Sequence, residues 1–249
     1  MNLVDDNAIV LAGATGRVGG ATLATLLREG ARVAVLSRKR ERALTTIADA
    51  ADRELRDRAV GIRADLGDPA SASAAVAECI ATFGRVDAVV NLAGSGGGLV
   101  SLATSNRDDL RRSLSAFAET AYNLALPALR AMLQQPYRDG ARSRGRIVTV
   151  TAGSSIAPAP GRGPFAAAKA AVNALMLAIA REHKADGIVA NALVLGGVAF
   201  AGAEAFYSAE DLAAAATPQE VADVLTFLAS DRASGINGAL VDLNAREID

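Results

Sequence analysis

The sequence has few of the residues on which reactive or cross-linked sites depend. Its 249 residues contain no tryptophan, one cysteine and one histidine, and aromatic residues make up 4% of the chain. A single cysteine, Cys79, excludes an internal disulfide, and its position in a helical pattern predicts a small core residue in a reducing compartment. No metal-ligand spacing is present. His183 stands at the charged end of a helix, where we expect a surface role.

An excess of charge of one sign is also lacking. Lys and Arg number 26 against 27 Asp and Glu, so the net charge is −1. This balance excludes a nucleic-acid footprint and a polybasic membrane anchor. No stretch reaches eighteen uninterrupted apolar residues and no signal peptide is visible, which predicts no membrane partner and a cytoplasmic location. The arginines that cluster between Arg138 and Arg146 stand among glycines and predict a solvated loop.

Short apolar segments alternate with helical patterns along the whole chain. Half of the residues are apolar, enough for one large core. The alternation predicts an α/β fold of the Rossmann type: a doubly wound, mainly parallel sheet with helices on both faces, in a single domain over residues 1–249. The patterns include a charged helix over 38–58. They also include a long helix over 108–134, with Leu110 and Phe117 on its apolar face.

The first strand ends in a glycine turn. Gly13, Gly16 and Gly19 precede a helical segment, and glycine lets a backbone approach a pyrophosphate that the first helical amides then bind. Glycines also end strands for purely structural reasons, so the turn alone leaves both interpretations open. The phosphate interpretation assigns cofactor contacts to Gly13, Thr15, Gly16, Arg17, Val18 and Gly19.

From Ile9 to Val241 the ordered motifs resemble the short-chain dehydrogenase/reductase superfamily. The glycine turn lies where that family has Thr-Gly-x-x-x-Gly-x-Gly, although Arg17 stands at the middle glycine. Asn91–Gly94 resembles its Asn-Asn-Ala-Gly motif, and Phe165–Lys169 resembles the approach to its active site. The resemblance implies a nicotinamide dinucleotide. Further cofactor contacts would then come from Asp65, Leu66, Asn91, Ala93, Gly94, Lys169, Gly196 and Val198.

The end of the second strand favours NADP over NAD. An NAD site of this type needs a carboxylate there for the ribose 2′-hydroxyl, but the sequence has Ser37 and Arg38. Arg38, with Arg17, would make charge-assisted contacts to a 2′-phosphate. The alternative is that these are surface arginines beginning a helix.

Three catalytic groups that the resemblance implies are missing. The family's proton-donating Tyr corresponds to Phe165, its carbonyl-binding Ser to Ala152 and its water-relay Asn to Phe117. Lys169 alone is retained. Ser154 or Ser155 would replace the serine only with an insertion and a compensating deletion. Tyr122, for which core packing is the simpler expectation, and Tyr207 are the other hydroxyls considered.

Three functions stay open. The first is a non-catalytic, regulatory or partner subunit that binds NADP(H). It would be a homodimer or homotetramer, or would pair with an active paralogue through its fourth and fifth helices. The second is an enzyme with a non-redox or altered reaction on a small hydrophobic ligand. The third is an NADPH-dependent carbonyl reductase that uses Ser154, Ser155 or Tyr207.

Overall fold

A single parallel sheet organises the molecule, confirming the predicted fold class. The structure is a computed structural model that describes residues 2–94, 98–205 and 208–243. Within those residues the sheet has seven strands in the order β3-β2-β1-β4-β5-β6-β7. The strands are β1 (Ala8–Ala12), β2 (Arg32–Ser37), β3 (Ala59–Arg63), β4 (Ala88–Asn91), β5 (Gly145–Ala152), β6 (Ile188–Leu195) and β7 (Leu240–Leu243).

Helices cover both faces of this sheet. The longer ones on one face, α4, α6 and α7, pack on a core that includes Leu124 and Met176, while α1, α2 and α9 pack on a second core that includes Leu26 and Leu225. The helices are α1 (Gly19–Arg28), α2 (Arg40–Ala50), α3 (Arg53–Arg56), α4 (Pro69–Phe83), α5 (Arg107–Ser113), α6 (Thr120–Gln134), α7 (Gly163–Glu182), α8 (Ala209–Ala214) and α9 (Pro218–Leu228).

The order of the strands locates the cleft. Successive strands run outward from β1 to β3 on one side and from β4 to β7 on the other. Loops at the carboxyl ends of β1 and β4 therefore leave in opposite directions, and a crevice opens between them at this switch point. The glycine turn after β1 stands at that crevice.

The predicted long helix over 108–134 is present, since the chain is helical from Arg107 to Gln134. Its interior differs from the prediction, because a π-helical segment, Leu114–Glu119, lies between α5 and α6 and carries Phe117. Single π turns inside helices are rare and occur frequently at functional sites. Leu110, predicted on the apolar face, is 40% exposed.

The charged helix predicted over 38–58 is also divided. Its first part ends when Ala51 adopts an extended conformation, and the four-residue α3 follows Asp52. Only Ala43 and Ile47 of α2 are buried. Because only these two side chains pack on the core, packing does not keep the chain helical through Ala51.

The arginine cluster is only in part the solvated loop that its composition predicts, since Arg138 and Arg142 lie in a loop before β5. Arg146 is the second residue of β5 and is 3% exposed, and it forms an ion pair with Asp231. Arg144 donates to the carbonyl of Leu133 and stacks on Tyr137. Buried guanidinium groups need such partners, so these arginines join the start of β5 to the surrounding loops.

Two other sequence expectations concern apolar positions. Cys79 is fully buried in the core, as predicted, and burial raises the pKa of its thiol to about 12. Within the part of the chain that the structure describes, one helix, α7, is long and apolar enough to span a bilayer, but half of its most apolar window is buried inside the protein. Its packing against β5 and β6 accounts for that composition.

Candidate functional site

The glycine turn packs tightly against its neighbours. Gly13 has φ +85°, and a Cβ added there would lie 2.6 Å from the carbonyl carbon of Leu92. A Cβ on Gly19 would lie 2.2 Å from the Gly13 carbonyl oxygen. These two glycines are therefore required for the turn to fit against the chain after β4 and against its own helix. Thr15, Gly16 and Arg17 form the exposed tip of the turn, and Val18 is the residue before α1.

The ends of β2 and β3 form a charged cavity. Ser37 and Arg63 are paired in the sheet register, and the cavity beyond them has a volume of about 520 Å³. Arg38, Arg63, Asp65, Asp68 and Ser71 line it. The cavity therefore brings together two guanidinium groups, which suit a phosphate group, and the carboxylates of Asp65 and Asp68.

Arg63 was missed in the sequence. The rule that singled out Arg38, a cation at the carboxyl end of a strand, applies equally to the neighbouring strand. Asp65, one of the cofactor contacts that the resemblance implies, accepts a hydrogen bond from the Gly67 amide at 3.0 Å, and its own amide donates to Ser71 Oγ at 2.9 Å. Leu66 beside it is buried, and its carbonyl accepts from Asn123.

The turn after β4 brings the backbone against Phe117. Asn91 is buried, and its Oδ1 accepts a hydrogen bond from the Ala93 amide at 2.9 Å. Gly94 follows with φ +141°, and a Cβ there would lie 2.5 Å from Cδ1 of Phe117. The Phe117 side chain thus fills the space beside Gly94.

Phe117, Phe165 and Lys169 form one cluster, as the sequence predicts. The two rings meet edge to face with centroids 5.2 Å apart. Lys169 Nζ lies 4.5 Å from the Phe117 centroid and donates to the Val150 carbonyl at 2.9 Å. Lys169 is only 8% exposed, and burial lowers the pKa of its amine to about 8. A carbonyl oxygen and an aromatic face thus solvate the ammonium.

The hydroxyl groups considered as substitutes are those of Ser154, Ser155, Tyr122 and Tyr207. Ala152 ends β5, and Ser154 and Ser155 lie in the 3₁₀ turn that follows. Ser155 Oγ accepts a hydrogen bond from Asn173 Nδ2 at 2.8 Å. Tyr122 is 49% exposed, so the core packing expected for it is wrong. Tyr207 lies outside the described residues.

The segment after β6 returns over the cleft. Gly196 is exposed, and Val198 forms a parallel bridge with Ala216. Two residues further on, the ring of Phe200 lies beneath the guanidinium of Arg17, 4.0 Å from its central carbon to the ring centroid. Among the residues that the structure describes, no group of His, Cys, Asp and Glu side chains could hold a metal ion.

Residues 7–211 match the family model described as short chain dehydrogenase. The chain belongs to this family. A curated relative is the A-factor type gamma-butyrolactone 1'-reductase (1S-forming) of Streptomyces virginiae, which is 29% identical over 95% of this chain and 93% of that protein.

Two solved structures share the fold. The 3-ketoacyl-(acyl-carrier-protein) reductase from Brucella melitensis, complexed with NADH, has a TM-score of 0.86 and 22% identity over 98% of this chain and 100% of that one. An NAD⁺-bound xylitol dehydrogenase has a TM-score of 0.82 and 21% identity over 96% of this chain and 98% of that one. This chain is therefore an oxidoreductase-family protein whose structural neighbours bind nicotinamide dinucleotides.

The low pKa of Lys169 predicts a pH-dependent stability. Between pH 8 and 10.5 the unfolded chain keeps a proton that the folded protein releases. The stability of the wild type relative to Lys169→Met should therefore rise over this interval, by up to about 3 kcal/mol. Urea unfolding of both proteins from pH 7 to 10.5 measures this difference.

Lys184→Met is the matched control, since Lys184 is exposed. The difference in the free energy of unfolding between Lys184→Met and the wild type should stay constant over the same pH interval. A flat or falling difference for Lys169→Met would contradict the burial of a charged amine.

Proposed function

We propose that this protein binds NADP(H) through the adenosine half of the cleft and acts as a non-catalytic, regulatory or partner subunit rather than as a tyrosine-dependent reductase. The observation that carries the proposal is the cluster of Phe117, Phe165 and Lys169. The related proteins are named as reductases and dehydrogenases, whereas this chain has Phe165 where the family resemblance implies the proton-donating tyrosine.

The cluster offers no hydroxyl to protonate a reduced substrate. Phe165 stands four residues before Lys169, where the family resemblance implies a tyrosine, and its ring has no proton to donate. Losing a general acid costs about 10² to 10⁴ in rate. Lys169 is the other proton donor of the cluster; one of its three N–H groups donates to the Val150 carbonyl, and its ammonium faces Phe117.

The residues fit the adenosine end of NADP(H). Arg38 and Arg63 would bind a 2′-phosphate, Asp65 lies beside them, and the glycine turn would bind the pyrophosphate. The end of β2 carries no carboxylate that would repel that phosphate. When bound, the nicotinamide of such a cofactor supplies or accepts a hydride.

Nucleotide binding tests the phosphate assignment. We expect NADP⁺ to bind at least about tenfold tighter than NAD⁺, since two guanidinium groups contribute charge-assisted contacts to the 2′-phosphate. Arg63→Gln and Arg38→Gln should each weaken NADP⁺ by about tenfold and change NAD⁺ less than about twofold. Isothermal titration calorimetry measures these constants.

Arg40→Gln is the control, since Arg40 begins α2 and does not line the cavity. It should leave both affinities unchanged. Tighter binding of NAD⁺ than of NADP⁺ by the wild type would contradict the assignment.

Turnover tests the missing acid. The purified wild type should consume NADPH at background rate with γ-butyrolactone ketones and 3-ketoacyl thioesters, the carbonyl classes that the related proteins' names indicate. Phe165→Tyr combined with Ala152→Ser returns both hydroxyl groups, and wherever the nicotinamide reaches the cluster this should raise turnover by about 10² or more. Wild-type turnover well above background, followed at 340 nm, would contradict the proposal.

A second candidate function is a non-redox reaction on a small hydrophobic ligand. Leu99, Leu102 and Ile156 are each more than half exposed. Leu99 and Leu102 pack beside Gly161 and Gly163, just before Phe165. Exposed leucines beside two rings favour an apolar ligand. Product formation from such a ligand without nucleotide would support this function over the first.

The proposed subunit contact uses one exposed face of α7. That face consists of alanines, which allow a second helix to approach closely, and α7 lies next to α6 with its half-exposed Tyr122. It would pair with a second copy in a homodimer or homotetramer, or with an active paralogue. The alanines are Ala167, Ala170, Ala171, Ala174 and Ala178.

Ala171→Glu should break this contact, because a carboxylate would be buried between the helices. We expect the wild type to be at least a dimer and the variant to be a monomer by size exclusion with light scattering. Ala77→Glu on the exposed side of α4 is the control and should keep the wild-type mass. A monomeric wild type would contradict the homo-oligomer.

A further inference from the structure

The contact between Arg17 and Phe200 crosses the cleft. Arg17 follows β1 and Phe200 follows β6, and β4 and β5 lie between these strands. Three strand spacings amount to about 14 Å. The guanidinium nevertheless lies 4.0 Å from the centre of the ring. The two side chains therefore meet above the carboxyl ends of β4 and β5.

Backbone hydrogen bonds hold both partners of this contact. The turn that carries Arg17 is closed by the Gly16 amide donating to Gly13 and the Gly19 amide donating to Gly16. Near Phe200, the Ala199 amide donates to Ala216 and the Ala203 amide donates to Phe200 itself, both at 2.9 Å. The crossing is therefore part of the fold on both sides.

The two halves of the cleft differ in the space that they leave for a nucleotide. In a doubly wound sheet the β1–β3 half receives the adenosine nucleotide and the other half receives the second nucleotide. The adenosine half has the cavity of about 520 Å³ with Arg38 and Arg63. The other half is crossed by Arg17 and Phe200, and Lys169 within it is bonded to Val150.

We infer that the cleft is a site for a 2′-phosphorylated adenosine nucleotide of the 2′,5′-ADP class, and that the Arg17–Phe200 contact keeps a nicotinamide nucleotide out. This inference rests on the proposed function and narrows its ligand. A cation–π contact of this kind contributes to the closed arrangement, and entry of the second nucleotide would have to break it. The phosphates of the adenosine half would still reach the glycine turn and the two arginines.

Calorimetry with 2′,5′-ADP and with NADP⁺ tests the inference in the full-length protein. The wild type should bind the two ligands with affinities less than tenfold apart. Phe200→Ala removes the ring and keeps the charge of Arg17, whereas Arg17→Gly removes the whole side chain. Each should shift the ratio of the NADP⁺ affinity to the 2′,5′-ADP affinity at least fivefold in favour of NADP⁺. The ratio is used because loss of the Arg17 charge would weaken the binding of both ligands alike.

Phe83→Ala is the matched control, since Phe83 lies under Arg32 at 5.4 Å at the end of α4. It should leave the ratio unchanged, and circular dichroism verifies that every variant is folded. Because the chain has no tryptophan, Phe200→Trp adds a single fluorescent reporter. Its emission should change no more with NADP⁺ than with 2′,5′-ADP if the dinucleotide stops short of it.

The outcomes separate the two proposals. If the wild type binds NADP⁺ more than tenfold tighter than 2′,5′-ADP, if the variants shift the ratio less than fivefold, or if NADP⁺ changes the tryptophan emission more than 2′,5′-ADP does, this inference is overturned and NADP(H) binding stands. If neither ligand binds, the proposed function fails as well.

Discussion

The site depends on the two contacts that the buried Lys169 ammonium makes. It donates to the Val150 carbonyl and lies over the face of Phe117. A hydrogen bond from a charged donor is worth about 1.5 to 3 kcal/mol, and a desolvated cation–π contact about 2 kcal/mol. The pKa of Lys169 nevertheless falls to about 8, so these contacts only partly replace the water that the ammonium has lost.

This arrangement places two kinds of chemistry at opposite ends of one cleft. At β2 and β3 the cavity is lined by two arginines, two aspartates and a serine. At β4 to β6 the side chains are aromatic rings in mutual contact, a lysine held by the backbone, and an arginine stacked across the opening. The nucleotide site that we propose lies at the first end, and Phe165, which stands where the family resemblance implies a tyrosine, lies at the second.

The sequence predicted the fold and the membership of the main cluster well. Periodicity and glycine turns located the strands, and the spacing of Phe165 and Lys169 is fixed by one helical turn, so both had to lie on the same face of α7. Phe117 joins them through the contact of its ring with Phe165. The sequence can predict contacts between residues of the same helix or strand in this way. It can also predict contacts that the pairing register of a sheet fixes.

Other features depend on contacts between distant segments. The π turn at Leu114–Glu119 has no periodic signal, and the burial of Arg146 depends on Asp231, 85 residues away. The contact between Arg17 and Phe200 joins loops 183 positions apart in sequence, so neither residue predicts the other. Arg63 ends β3, the strand next to the one that precedes Arg38. The sequence could have predicted it as a second cation at the same edge of the sheet, because the two strand ends are neighbours.

A crystal structure grown with NADP⁺ tests the central claim most directly. The account predicts an ordered adenosine with its 2′-phosphate between Arg38 and Arg63, Phe200 still stacked on Arg17, and a nicotinamide outside the cleft. A nicotinamide ring ordered beside Lys169, with its ribose bonded to Nζ and the Arg17–Phe200 contact broken, would contradict it.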